Sequence, residues 1–180
     1  MSWKDVLKKD SLMKYLKLSQ NPEKIKIIGI GNAGCNIVKQ IYMPYKNIEC
    51  EYIKEENIYE NSEDIDKVAE NTDIIFLVCC LGGNFGTNKL LSYVKNLVYK
   101  NIVPIIIMTT PFSFEGGRKN NFANEAIDEI LSLEIKVLNR IINMDKMKLP
   151  ENCTCKQAYS IADKQVILEI QNLCDLLMYD

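Results

Sequence analysis

The stretch DIIFLVCCLGGNFGTN, Asp73 to Asn88, decides how the rest of the chain is read. Its first half is an unbroken run of apolar residues, the composition of a strand covered on both faces. Its second half holds Gly82, Gly83 and Gly86 and leads into a segment of helical period over about residues 87–100. A strand, a glycine turn and a helix in that order make the first two parts of a βαβ unit.

Working outward, the same alternation recurs. Lys24–Ile30 (KIKIIGI), Ile48–Ile53, Val103–Thr109 and Ile135–Ile142 read as further strands, and residues 34–46, 62–71 and 118–133 read as helices. The pattern predicts a Rossmann-like α/β fold: a parallel sheet with helices on both faces. Pro22, Pro44, Pro104, Pro111 and Pro150 fall at or near predicted element ends, where a ring without an N–H is tolerated. The tail reads as one long helix from Cys155 to Met178. In it Tyr159, Ala162, Val166, Ile170, Leu173 and Leu177 form a single apolar stripe.

The composition narrows the function classes. Of 180 residues, 47% are hydrophobic and 26% charged, enough for a real core and a soluble surface. A formal net charge of −2 gives no electrostatic reason to expect nucleic acid or anionic membrane as a partner. No apolar run approaches membrane-spanning length, so no membrane insertion is expected. The N-terminal stretch with Trp3, Val6, Leu7, Leu12, Tyr15 and Leu16 reads as an amphipathic soluble helix without a signal peptide's apolar block. Seven cysteines, several inside apolar runs, suggest buried thiols in a reducing, cytoplasmic compartment. The absence of histidine removes the commonest metal ligand and general base. Cys153 and Cys155 alone are too few for a metal site.

All eight glycines lie in three places: Gly29, Gly31 and Gly34 after the first strand, Gly82, Gly83 and Gly86 after the third, and Gly116 and Gly117 after the fourth. Ligands of open parallel sheets bind beyond the carboxyl ends of the strands. Glycine turns that open helices there offer N–H groups and helix dipoles to phosphate. GIGNAG (Gly29–Gly34) alone also fits a dinucleotide fold or a tight turn with no ligand. Neither turn closes with the G-K-[ST] of a Walker loop.

Taken together, the segments resemble the tubulin/FtsZ family. IKIIGIGNAGCNIV (Ile25–Val38) is similar to the first nucleotide loop of FtsZ-type proteins, and DIIFLVCCLGGNFGTN to their glycine-rich signature loop. PFSFEGGRKNNFANEAI (Pro111–Ile127) resembles the segment carrying the ribose-contacting acid. INMDKM (Ile142–Met147) and AYSIADKQVILEI (Ala158–Ile170) follow in family order, the latter as the central helix.

The resemblance implies a guanine-nucleotide site for GTP or GDP, with Mg²⁺ accompanying GTP. Gly31, Asn32, Ala33, Gly34, Cys35 and Asn36 would wrap the phosphates and reach the base, with Asn36 at the family's guanine-contacting asparagine. Gly82, Gly83, Gly86, Thr87 and Asn88 would line the phosphate loop, and Glu115 would accept from the ribose hydroxyls. Lys119, beside Arg118, would supply positive charge. Asp163 would read the guanine edge, since an acceptor suits the N1–H and exocyclic amine. Each also has a plainer reading: Glu115 as an acid at a helix N-terminus, Asp163 as a solvated helix residue, and Asn36 as a first-turn residue.

The sequence departs from the family pattern in four places. GGGTGTG becomes Gly82-Gly83-Asn84-Phe85-Gly86-Thr87-Asn88, so Phe85 must point away from the phosphates or crowd them. Met144 replaces a polar asparagine. Between Glu55 and Asp66 lie six acids and no lysine or arginine, which would repel phosphate and argues against a γ-phosphate sensor. The acidic catalytic loop and second domain that follow the family's central helix are not found before Asp180.

The expectation is therefore an N-terminal helical extension (1–22) and an FtsZ-like nucleotide-binding domain (23–180). No residue is assigned to catalysis, and hydrolysis is expected only when a partner subunit completes the site. The domain would act with a full-length FtsZ-like protein in cell division or cytoskeletal organisation. The alternatives are a degenerate scaffold that binds no nucleotide and, more distantly, an NAD(P)-binding oxidoreductase domain built on GIGNAG.

Overall fold

The structure is a computed structural model that describes residues 8–55, 69–133 and 138–178. Helix α1 (Lys9–Tyr15) precedes strand β1 (Ile25–Ile30), helix α2 (Gly31–Lys39) and strand β2 (Ile48–Ile53). Strand β3 (Ile74–Cys80), helix α3 (Asn84–Tyr99), strand β4 (Ile105–Thr109) and helix α4 (Gly117–Ser132) follow. Strand β5 (Leu138–Ile142) and the 24-residue helix α5 (Cys155–Met178) complete the order. Short 3₁₀ turns at Ser113–Glu115 and Met144–Lys146 follow β4 and β5.

The five strands are all parallel and lie in the order β2-β1-β3-β4-β5. Winding reverses between β1 and β3, so the loops after these two strands part on either side of a crevice. The register is level across the sheet. Ile30 pairs with Ile53 and Cys79, and Thr109 with Cys80 and Ile142, so all five strands end at one edge.

Alternate residues of the central strands enter opposite layers, as a period of two requires. Ile25, Ile27, Ile74, Phe76, Val78, Ile105 and Ile107 face α1, α2 and α5, where Leu12, Ile37, Val166, Ile170 and Leu177 meet them. Ile28, Ile30, Ile75, Leu77, Ile106 and Met108 face α3 and α4, packing on Leu90, Val94, Leu97, Ala123 and Ile130. The α5 stripe read from the sequence is buried throughout except at Tyr159, which is half-buried. Lys26 points into the second layer's edge yet is only 7% exposed; its ammonium pairs with Glu51 at 2.9 Å.

Several element bounds differ from the sequence reading: α3 starts at Asn84 rather than about 87, and β4 at Ile105 rather than Val103. The helix expected over 34–46 starts at Gly31, directly from β1, and ends at Lys39. Pro44 disfavours helical geometry in the residue before it, which argues against continuing to 46. The helix expected over 62–71 falls almost wholly outside the described residues.

Candidate functional site

The first two glycine turns meet at the carboxyl edge of the sheet. Gly31 has φ +73°, and a Cβ placed on it would stand 3.1 Å from Gly86 Cα. The turns after β1 and β3 are therefore in backbone contact across the switch point. Gly82, at φ +95°, has Pro111 Cγ only 2.8 Å from where a Cβ would be, so the second turn is packed on the segment after β4. Helices α2 and α3 open at these turns without a side-chain cap and without an acid in the first turn. Their first N–H groups point out of the sheet edge with no carboxylate of their own to satisfy them.

A cleft of about 370 Å³ lies above this junction. Gly31, Asn32 and Ala33 form one wall and Gly83, Asn84, Phe85 and Gly86 the next. Thr109, Thr110, Pro111 and Glu115 come from the end of β4 and beyond, with Lys119 from α4 and Met144 from after β5. Helix α5 contributes Tyr159, Ala162 and Asp163, Glu55 closes the side next to β2, and Cys80 and Leu81 lie at the end of β3.

The polar groups around Glu115 are closely tied. Its Oε1 accepts from Phe112 N at 3.0 Å, its Oε2 from Lys119 Nζ at 3.2 Å, and Tyr159 also hydrogen-bonds to it. Burial, then the bond to Glu115 and its charge, keep the Tyr159 hydroxyl protonated well above the ordinary tyrosine range. Phe112 stacks on Phe114 at 4.9 Å and meets Tyr159 edge-on at 5.4 Å, which fixes the Tyr159 ring at the cleft. Asp163 is half-buried, and desolvation raises its carboxyl above the usual range while a hydrogen bond from Gln40 opposes the shift.

Burial pushes the Cys80 thiol up to about 11, with a hydrogen bond from the Thr109 hydroxyl opposing it and the charges of Asp163 and Glu115 adding to it. The thiolate is the reactive form, so Cys80 should resist alkylation at neutral pH although it borders the cleft. In the unfolded chain the thiol ionises near 9. Stability from this group is thus complete below pH 9 and is lost as pH climbs towards 11. Mass-spectrometric iodoacetamide labelling at pH 7.5 should find Cys80 far slower than the exposed Cys155; comparable rates would refute the desolvated-thiol account.

No protein-family model matches the sequence. Among curated proteins, the cell division protein FtsZ of Aquifex aeolicus is 25% identical over a 195-residue alignment covering 88% of this chain and 53% of that protein. Among solved structures, an empty FtsZ dimer of M. jannaschii superposes with a TM-score of 0.73 at 20% identity, covering 100% of this chain and 61% of that one. CetZ from Methanosaeta thermophila superposes with a TM-score of 0.69 at 16% identity, covering 87% of this chain and 55% of that one. The fold is that of the FtsZ nucleotide-binding domain, and the sequence is similar to those of FtsZ proteins. The chain spans about half the length of the curated FtsZ relatives it matches.

Against the FtsZ-type pattern, the residues picked from the sequence divide in two. Gly31, Asn32, Ala33, Gly83, Gly86, Glu115, Lys119 and Asp163 converge on the cleft. Gly34, Cys35, Asn36, Gly82, Thr87 and Asn88 are not on its wall. A Cβ on Gly34 would stand 2.4 Å from the Val78 carbonyl oxygen, so that glycine lets α2 lie against β3. Cys35 is buried, with Sγ 3.1 Å from Gly29 O. Thr87 is also buried, and its hydroxyl accepts from Gly82 N at 3.1 Å, closing the second turn on itself. Asn88 is exposed and donates to Asn84 Oδ1 at 3.0 Å. Asn36 is exposed one helical turn below Ala33. Its carbonyl accepts from Gln40 at 2.9 Å, and that same glutamine reaches Asp163.

The departures from the FtsZ pattern are absorbed locally. Asn84 and Asn88 sit inside α3 and are not among the positive-φ residues, so neither stands in for a left-handed glycine. Phe85 packs its half-buried ring against the α3/α4 layer and flanks the cleft, which stays open beside it. Met144 is buried with Phe112, Ala158 and Ala162, forming an apolar patch beneath Tyr159. Tyr159, Thr109, Thr110 and Cys80 line the cleft without having been picked from the sequence as site residues. Tyr159 was legible: it lies four residues before Asp163, hence on the same face of the helix.

Proposed function

We propose that this chain is a guanine-nucleotide-binding domain, with residues 1–22 as a helical extension and 23–180 as the nucleotide domain. One observation carries the reading: two uncapped, glycine-opened helices touch at the topological switch point and face Glu115 and Asp163 across an open cleft. In this reading the N–H groups at the starts of α2 and α3 hold the phosphates. Glu115 accepts from the ribose, exchanging its present donors for the sugar hydroxyls. Asp163 accepts from the guanine N1–H and amine, and the Tyr159 ring lies along the base.

Magnesium enters the proposal only with a triphosphate. Among the described residues no group of three or more histidine, cysteine or acidic side chains is arranged to hold a metal. The phosphate oxygens would then hold it.

At the level of the cell, we propose that the domain works in the cytoplasm with a full-length FtsZ-like protein, in cell division or cytoskeletal organisation. Hydrolysis is proposed only where such a partner supplies the acidic loop. Among the described residues no helix is long and apolar enough to cross a membrane.

Calorimetric titration of the chain with GTP, GDP and ATP tests the nucleotide reading. Micromolar binding of a guanine nucleotide, with ATP at least tenfold weaker, is the expected result. Silence with all three would favour a second reading, an interaction scaffold without nucleotide, to which the Phe85 ring on the cleft wall already points. Pelleting a full-length FtsZ polymer with and without the chain tests the partner. Unchanged polymer mass and turnover would remove that part.

A further inference from the structure

We infer that the cleft selects guanosine diphosphate over the triphosphate, with Glu55 and Phe85 setting the limit; this rests on the guanine-nucleotide reading above. Strand register supplies the first half of the argument. Strand β2 ends at Ile53 beside Ile30, the last residue of β1, so Glu55 leaves the sheet edge next to the first turn. Glu55, Asn32 and Ala33 share the cleft wall there, which places a carboxylate beside the N–H groups that would take phosphate. The second half comes from α3. Phe85 is its second residue, between Asn84 and Gly86, and all three line the cleft. A ring and a carboxylate therefore bound the phosphate end.

The charge balance points the same way. The wall carries three carboxylates, Glu55, Glu115 and Asp163, against the single ammonium of Lys119 among the described lining residues. That ammonium is already paired with Glu115. Lys54, next to Glu55, is not on the wall, and its field acts on the Cys35 thiol behind the first turn. What faces the phosphates is therefore Lys119, once Glu115 turns to the ribose, and two helix N-termini, each equivalent to about half a positive charge. A triphosphate adds one more charged phosphoryl than a diphosphate. It must extend towards Glu55 or displace the Phe85 ring, and like-charge juxtaposition discriminates strongly between ligands.

The experiment is calorimetric titration of the full chain with GMP, GDP and GTP, once with EDTA and once with millimolar Mg²⁺. GDP is expected to bind about tenfold or more tighter than GTP in both conditions. Glu55→Gln should recover most of that gap, raising GTP affinity by more than it raises GDP affinity. Phe85→Ser should act in the same direction. Because Glu55 is exposed, its variant tests the inference even if the Phe85 variant folds poorly. GTP binding as tightly as GDP in either condition, or a gap that Glu55→Gln leaves intact, overturns the inference and leaves the guanine reading standing. No binding of any of the three removes both.

Discussion

Gly34→Ala is expected to lower the melting temperature by about 10 °C, from a destabilisation of about 3 kcal/mol or more. The methyl would sit 2.4 Å from the Val78 carbonyl oxygen and 3.3 Å from its carbon. These are backbone atoms in the centre of a sheet flanked on both sides, so neither β3 nor α2 can step back without breaking a ladder or a core layer. Gly117→Ala is the control. Nothing stands within 4 Å of its Cβ position and its φ is not left-handed, so it should change stability by less than about 1 kcal/mol. Circular dichroism melts of both variants decide the matter. A Gly34→Ala protein melting within two or so degrees of the parent would show that the α2–β3 contact is looser than the geometry indicates. The outcome matters for function, because Gly34 belongs to the motif that would be read as a phosphate turn. Its effect on ligand should follow its effect on folding.

Asp163→Asn is expected to separate stability from recognition. The carboxylate is half-buried and its pKa is raised by desolvation, so its charge opposes folding. The sign follows from proton linkage: the folded state holds the proton more tightly, so stability falls as pH rises from the ordinary value near 3.8 through the raised one. At neutral pH the full penalty is in force, and the neutral amide removes it while it can still bond to Gln40. The variant without ligand should therefore be more stable than the parent at pH 7, and the difference should shrink in urea titrations at lower pH. Guanine preference should collapse. An amide cannot accept from both the N1–H and the amine, and losing a charged acceptor costs about 1.5–3 kcal/mol, roughly ten- to a hundred-fold in affinity. Competition of GDP against ADP on the variant is the measurement. Retained guanine preference would mean that Asp163 does not face the base.

Both results bear on how much the sequence alone could disclose. Continuous apolar runs such as Ile74–Cys80 made the buried parallel strands legible, because only a strand covered on both faces uses that composition. The glycine turns were legible as turns at one sheet edge. What spacing could not supply was the direction of each side chain within a turn. Gly31 and Gly34 are three residues apart in one motif, yet the first faces the other loop and the second is wedged under β3. Thr87 looked like a hydroxyl for a ligand, but it is buried and bonded to Gly82. Asn36 lies a full turn of helix away from the mouth, a consequence of α2 starting directly from β1. Tyr159 was absorbed into the apolar stripe, although its place one turn before Asp163 turns it to the cleft. Glu55 could not be placed without the register of β2 against β1.

The Thr87–Gly82 bond has a kinetic meaning. The chain itself supplies the donor and acceptor that shape the second turn, so the form of that turn does not depend on a guest. The entropy of fixing that form is then a cost of folding, and little of it remains to be met on encounter. Arrival should be a single diffusive step with no slow rearrangement behind it, and differences in affinity between nucleotides should be carried by how long each one stays.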